Sequence, residues 1–233
     1  MNILNDKRLL LCAQLVKGKK AADIGTDHGY LPAFLVSEGI CESAVAADIN
    51  ELPLESAKKT VTSLGLSDKI SLVLSDGLKN VDLSGVTDII IAGMGGELIA
   101  RIIDDCKALK GGGYHLILQP MTRPSELREY LYSNGFEVRE ERCTHEGRFD
   151  YSVMSVYYIG GKPEYENDSR YKIFGRIDLA DKSGRAYAED RLKKLTAAAN
   201  GMLMGSGSRE QGEELMKTAR ELADLLKQRG GKK

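Results

Sequence analysis

The chain has 233 residues, of which 42 % are hydrophobic and 29 % charged, with 33 Lys and Arg against 34 Asp and Glu. That length holds one α/β domain plus an appendage, and about 160 residues bury roughly 70 % of their unfolded surface, so no disulfide or metal is needed for stability. The net charge of −1 argues against a protein that coats nucleic acid indiscriminately, no apolar run nears the roughly 20 residues of a membrane span, and MNILNDKRLL lacks the pattern of a signal peptide.

A cytoplasmic protein is therefore expected, and Cys12, Cys41, Cys106 and Cys143, far apart and outside any CxxC pattern, read as reduced thiols.

Asn5 or Asp6 can cap a first helix carrying Leu9, Leu10, Ala13 and Val16. AADIG follows as a buried strand, YLPAFLVSEG as a helix that tolerates Pro32 in its first turn, SAVAADI as a second strand, and PLESAKKTVTSLGL as a helix stopped by Gly65. ISLVLSDG and DIIIAGMGG are strands three and four. The β-branched run Ile89, Ile90, Ile91 demands burial on both faces, as in a parallel sheet.

GELIARIIDDCKALKGGG reads as one helix, YHLILQP as strand five, and PSELREYLYSNG as a capped helix ended by Gly135. FEVREERCT and YSVMSVYYIG then form an antiparallel hairpin around the loop HEGRFD. Seven strands with helices between the first six give a doubly wound α/β sheet with an antiparallel edge.

Composition changes after residue 161, so the chain divides into a domain at 1–161 and an appendage at 162–233, where 16 Lys and Arg face 12 Asp and Glu. Leu192, Leu195, Ala199 and Met202, then Leu215, Leu222 and Leu225, have helical spacing around the turn GSGS at 205–208. They predict a helical hairpin or short coiled coil, with a frayed GGKK terminus.

In a doubly wound sheet the ligand lies across the carboxyl ends of the strands. After strand one stands Asp23-Ile24-Gly25-Thr26-Asp27-His28-Gly29. Asp27 occupies the place where a dinucleotide loop carries its second glycine, and a carboxylate there repels a pyrophosphate. A phosphate-free ligand with sulfonium and ammonium charges, S-adenosylmethionine, suits Asp23 and Asp27 better. Asp48, followed by Ile49 and Asn50, ends strand two where an acid can accept both ribose hydroxyls. Asp76, with Gly77, ends strand three and can accept from an adenine amino group.

At the mouth of strand four, Ala92, Gly93, Met94 and Gly95 leave room for a flat ring. The Asn/Asp-Pro-Pro-Tyr segment common in exocyclic-amine methyltransferases is absent, which favours a base-ring nitrogen or another nucleophile as acceptor. Strand five brings Gln119, able to read a base edge, and Arg123, able to hold a phosphate. His28 and His145 lie in candidate site loops, and His115 sits inside a strand as a structural residue. Nothing has metal-ligand spacing.

These blocks resemble one family, the bacterial tRNA (adenine(22)-N(1))-methyltransferases, TrmK. The resemblance runs through LLLCAQLV, DIGTDHGYLP, AADINELPLESAKKT, LSDGL, IAGMGGELI, LILQPMTRPSELREYL and HEGRFDYSVM. It implies a Rossmann-like class I methyltransferase domain, a C-terminal coiled coil, and methyl transfer from S-adenosylmethionine to adenine N1 in the tRNA D-loop. That nitrogen carries a free lone pair, so alignment and a field tolerant of positive charge supply the rate, with Asp27 expected to provide the field or to accept from the adenine amino group.

The target base must leave its stack, with Tyr30 or Met94 beside it. Lys193 and Lys194, with Lys217, Arg220 and Lys227, are expected to hold the tRNA body, and a monomer is expected. Three other readings stay open from the residues: a methyltransferase of another RNA or small molecule, an NAD-dependent oxidoreductase, and a non-catalytic RNA-binding module.

Overall fold

The computed structural model describes residues 3–165, 168–205 and 208–230. Its centre is a seven-stranded sheet in the order β3-β2-β1-β4-β5-β7-β6. The first five strands, β1 (Lys20–Ile24), β2 (Ser43–Asp48), β3 (Ile70–Leu74), β4 (Asp88–Gly95) and β5 (His115–Thr122), pair in parallel. Ile89, Ile90 and Ile91 are fully buried, because side chains on both faces of β4 meet covering elements.

Asp6 caps α1 (Lys7–Leu15), accepting from the Arg8 and Leu9 amides at 2.8 and 3.4 Å. Helices α2 (Tyr30–Ser37) and α3 (Glu51–Ser63) follow β1 and β2. α1 and α2 pack into an apolar layer with Ala21, Ile90 and Ile117 on one face of the sheet. On the other, α4 (Gly96–Asp105) and α5 (Pro124–Ser133) bury Ile99, Ile103, Leu127 and Leu131 against Ile89, Ile91, Leu116 and Leu118.

Several expectations are corrected. Residues 75–87 cross from β3 to β4 through turns, with no helix between them. The single helix expected over 96–113 breaks at Cys106, whose ψ of 88° is not helical, and continues only as a 3₁₀ turn at Lys107–Gly111. The start of α5 has no side-chain cap, since Arg123 stands there in the left-handed region at φ 54°. The final hairpin is longer than predicted. β6 (Phe136–Glu146) and β7 (Phe149–Tyr158) run to a two-residue turn, so His145 and Asp150 are strand residues. The antiparallel strand is β7, seated between β5 and β6, and β6 forms the edge.

The C-terminal part contains a short helix unforeseen in the sequence, α6 (Ser169–Phe174), and two long ones, α7 (Lys182–Met204) and α8 (Arg209–Gly230). α7 and α8 pack as the expected helical pair around Leu195, Ala199, Ala219, Leu222 and Leu226, with Leu192 and Leu215 at the margin. Leu226, rather than Leu225, takes the last core position, since a step of four after Leu222 stays on the face begun by Leu215 and Ala219. Part of the GSGS turn (206–207) and the last three residues lie outside the described residues.

The appendage is not a loose arm. Arg128 of α5 and Glu141 of β6 form a fully buried pair at 2.7 and 2.9 Å. Arg128 also donates to the carbonyls of Lys172 and Ile173 and to the Tyr187 hydroxyl of α7 at 3.1 to 3.3 Å. Burial opposes the charge, yet Glu141 beside it holds the Arg128 pKa above its usual value. Tyr165 packs edge-on against Tyr132 and donates to Val138 O at 2.6 Å, so the sheet's core continues past residue 161.

Candidate active site

The carboxyl ends of β1, β2 and β3 are stitched together by backbone. The amides of Gly25 and Thr26 donate to Ala47 O at 2.8 and 3.0 Å, and Ser75 N donates to Asp48 O at 2.8 Å. Asp48, only 9 % exposed, accepts from Asp27 N at 3.3 Å and Asn50 N at 3.0 Å. One carboxylate thereby fixes both loops of the mouth.

Asp27 itself holds a left-handed backbone at φ 51°, a conformation that costs a non-glycine residue and concentrates at functional sites. Asp23 lies beneath the loop, and burial raises its pKa to about 6. The Thr26 hydroxyl works against that rise and the Asp48 charge adds to it.

The mouth of β4 closes over this cradle. A side chain at Gly25 would come within 2.2 Å of Met94 Cε, so Met94 spans the gap that the glycine leaves. The pairing of β4 with β5 slips around Ala92, Met94 and Gly95, the kind of bulge that re-aims backbone beside active sites. Gly93, at φ 77° with open space beside it, donates its amide to Gln119 Oε1 at 3.0 Å. Gln119 is fully buried and its amide nitrogen donates to Pro120 O at 3.1 Å. Both ends of that side chain are engaged inside the protein, so the expected base reader instead positions the Gly93 bulge.

Asp76 stands beyond β3, with Lys79 at 2.6 Å and Arg101 at 3.9 Å, and hydrogen bonding from Lys79 holds its pKa below the usual carboxylate value. Gly77 packs on Ile102 of α4. Beside the carboxylates, Ile49, Leu74 and Tyr30 are left 58, 46 and 46 % exposed, an unfilled apolar margin. His28 is also exposed; it lies 3.6 Å from Asp27 and stacks on Tyr30 with ring centroids 5.4 Å apart.

The remaining candidates gather elsewhere. Arg123 is exposed and paired with Glu97. His145 sits at the hairpin end, 3.0 Å from Asp150. Lys194 lines a cavity of about 440 Å³ with Arg123, Phe149, Tyr151, Tyr187 and Arg191, whereas Lys193 does not. Phe149, Tyr187 and Arg191 escaped sequence reading. Their one signal was the spacing of 187, 191 and 194 on a helix face, which does not reveal what that face meets. His115, Asp88 and Ser155 form a buried chain at the opposite end of the sheet.

The cradle's chemistry fits S-adenosylmethionine. Two buried carboxylates, Asp23 and Asp48, and the exposed Asp27 surround Gly25, an apolar margin adjoins Asp48, and no Lys or Arg stands between residues 20 and 58 to meet a phosphate. Among the described residues, no group of three or more His, Cys, Asp or Glu can hold a metal, and no helix is long and apolar enough to cross a membrane.

A parallel sheet with an antiparallel β7 and an acidic donor mouth defines a class I methyltransferase domain, and residues 5–154 match the family model described as a methyltransferase domain. The tRNA (adenine(22)-N(1))-methyltransferase of Bacillus subtilis is 38 % identical over 149 residues, a match spanning 64 % of this chain and 63 % of that one. The crystal structure of the B. subtilis enzyme TrmK covers 98 % of both chains with a TM-score of 0.74 at 29 % identity. The Streptococcus pneumoniae protein Sp1610, solved in complex with S-adenosyl-L-methionine, is 31 % identical, covering 96 % of this chain and all of its own, with a TM-score of 0.75. The chain belongs to the TrmK family of bacterial methyltransferases.

Proposed function

We propose that this protein transfers a methyl group from S-adenosylmethionine to N1 of adenine 22 in the D-loop of tRNA. The observation that carries the reading is the acidic cradle of Asp23, Asp27 and Asp48 around Gly25, which favours a cationic, phosphate-free ligand. Bound there, S-adenosylmethionine supplies an electrophilic methyl group on a sulfonium centre.

Asp48 accepts the ribose hydroxyls while holding the amides of Asp27 and Asn50. Ile49 and Leu74 cover the adenine ring of the donor, and Asp76, held ionised by Lys79, accepts from its amino group. Thr26, Gly29, Gly77 and Ala92 shape the backbone around it, and His28 and Tyr30 stand at its open side.

Adenine N1 would attack the methyl carbon through its lone pair while the methyl–sulfur bond breaks and its electron pair leaves with S-adenosylhomocysteine, so no residue must remove a proton first. Positive charge grows on the base, and Asp27 lies close enough to the mouth to stabilise it. Met94 and Gly95 line the acceptor side, and Gln119 fixes that turn from behind through Gly93. Residues 1–161 perform the chemistry, and 162–233, with Arg123, His145, Lys193 and Lys194, place the tRNA. Mouth and cleft are built within one chain, which supports a monomer, and a tRNA substrate supports a cytoplasmic location.

Nucleoside mass spectrometry, with mapping of ribonuclease fragments, of an unmodified tRNA transcript incubated with enzyme and S-adenosylmethionine tests this reading. 1-Methyladenosine at position 22 is expected, and its absence from turned-over tRNA overturns the assignment. Asp27→Asn should lower kcat at saturating donor by roughly 10- to 100-fold, beyond any weakening of donor binding from the lost cradle charge; full turnover removes Asp27 from the mechanism.

A further inference from the structure

Phe149, the first residue of β7, emerges from a two-residue turn with 58 % of its surface in solvent. An aromatic ring exposed to that degree at a hairpin tip adds little to the core. It forms one wall of the 440 Å³ cleft, with Tyr151 meeting it edge-on at 6.3 Å and Tyr187 and Arg191 of α7 lining the cleft with it. The Arg128 and Glu141 pair binds Tyr187 from behind, so the α7 side of the cleft is fixed relative to the sheet.

The lining carries Arg123, Arg191 and Lys194 with one carboxylate, Asp150. Outside the lining, Asp190 pairs with Arg191 at 3.4 Å and Lys194 at 2.7 Å, and Glu97 pairs with Arg123, salt bridges that a phosphate would have to share. Arg191 stacks over Tyr187 at 5.3 Å, and its Nε is buried without a hydrogen-bond partner. One floor of the cleft, Pro120 and Thr122, is in register with Met94 and Gly95 of the acceptor mouth.

We infer that this cleft holds the nucleotide adjoining the methylated adenosine, its base stacked on Phe149 and its phosphate held by Arg191 and Lys194. The inference rests on the methyl transfer to RNA proposed above. N1 lies on the pairing edge, so the target adenine leaves its stack and its neighbour loses a stacking partner. An exposed aromatic ring next to cations replaces that partner without reading sequence, as in single-strand binding surfaces. An acidic peptide would use the cations but leave the Phe149 face unexplained.

The test measures binding of an unmodified tRNA transcript at several salt concentrations beside turnover and S-adenosylmethionine affinity. Phe149→Ala should weaken tRNA binding roughly tenfold and raise KM similarly, Phe149→Trp should restore both, and donor affinity should stay at the wild-type value. Lys194→Gln should lower the slope of log Kd against log salt by about 0.7, the signature of one lost phosphate contact on a single strand.

Wild-type tRNA affinity in Phe149→Ala, or equal weakening in the Ala and Trp variants, overturns the cleft. Failure of the wild type to bind the transcript overturns it as well. Binding without adenine methylation strikes only the reaction proposed above, and the binding arms then still decide the cleft.

Discussion

The two ends of the parallel sheet carry similar residues put to opposite uses. At the amino end, Asp88 begins β4 and His115 begins β5. Their side chains meet at 2.7 Å, and His115 Nε2 reaches Ser155 Oγ at 2.8 Å. The composition is that of a hydrolase triad, yet all three are at most 5 % exposed.

Asp88 also accepts from Lys17 N, Gly18 N and the Thr87 hydroxyl at 2.8 to 3.1 Å. Burial works to raise its pKa, but these bonds and His115 together hold it below the usual value. Tyr157 stacks on the His115 ring at 4.7 Å. At the carboxyl end, by contrast, glycines, a bulge and the strained Asp27 leave backbone and carboxylates facing open space. What separates a site from a tie is whether the polar groups already have their partners.

The comparison is broken most severely at the amino end. His115→Ala leaves Asp88 buried without its ring partner, and removing one side of a buried pair costs about 3 kcal/mol. Urea denaturation should show that loss, while the S-adenosylmethionine Kd of the folded fraction stays unchanged. A variant that keeps its stability but loses donor binding would reverse the assignment of the two ends.

Asp48→Ala makes the opposite test. It should weaken donor binding about 100-fold, or about 2.7 kcal/mol, as measured by calorimetry. Stability should fall by only about 1 kcal/mol, because water at the rim can reach the amides of Asp27 and Asn50. A loss of stability near that of His115→Ala, with donor affinity intact, would make Asp48 a tie as well.

The difference between the ends also explains what could be read in advance. Strand identities were legible because Ile89, Ile90 and Ile91 have no use outside a doubly covered strand, and the gathering of Asp23, Asp27 and Asp48 at one mouth was legible because strand ends in this topology converge. Gln119 was misjudged. A polar residue at a strand end looks available, and only the structure shows its amide spent on Gly93 and Pro120.

The cleft was invisible for a related reason. Phe149 and Arg191 lie 42 positions apart, and their meeting depends on α7 docking against the hairpin through Arg128 and Glu141. No local pattern encodes that docking. The missing helix at 75–87 and the break at Cys106 belong to the same class, where tertiary context overrides a local preference.

The smallest expected effect concerns the proton on Asp23. Its pKa in the fold is about 6 against 3.8 in a free chain, so the folded state binds that proton more tightly. Stability of the unliganded protein should therefore decline as pH rises from about 4 to 6 and level off above. A cationic donor prefers the ionised carboxylate and reverses this linkage, so its affinity should rise over the same window.

Calorimetry should find S-adenosylmethionine bound up to about tenfold more weakly at pH 5 than at pH 7.5, with the profile flattened in Asp23→Asn. The variant isolates Asp23 from the other groups of the mouth. S-adenosylhomocysteine keeps the ammonium group and lacks the sulfonium charge. If its profile matches that of the donor, Asp23 faces the ammonium; if its profile is flat, Asp23 faces the sulfonium. An unaltered profile in Asp23→Asn would remove the carboxylate from the cradle's electrostatics and leave Asp27 and Asp48 as its charged members.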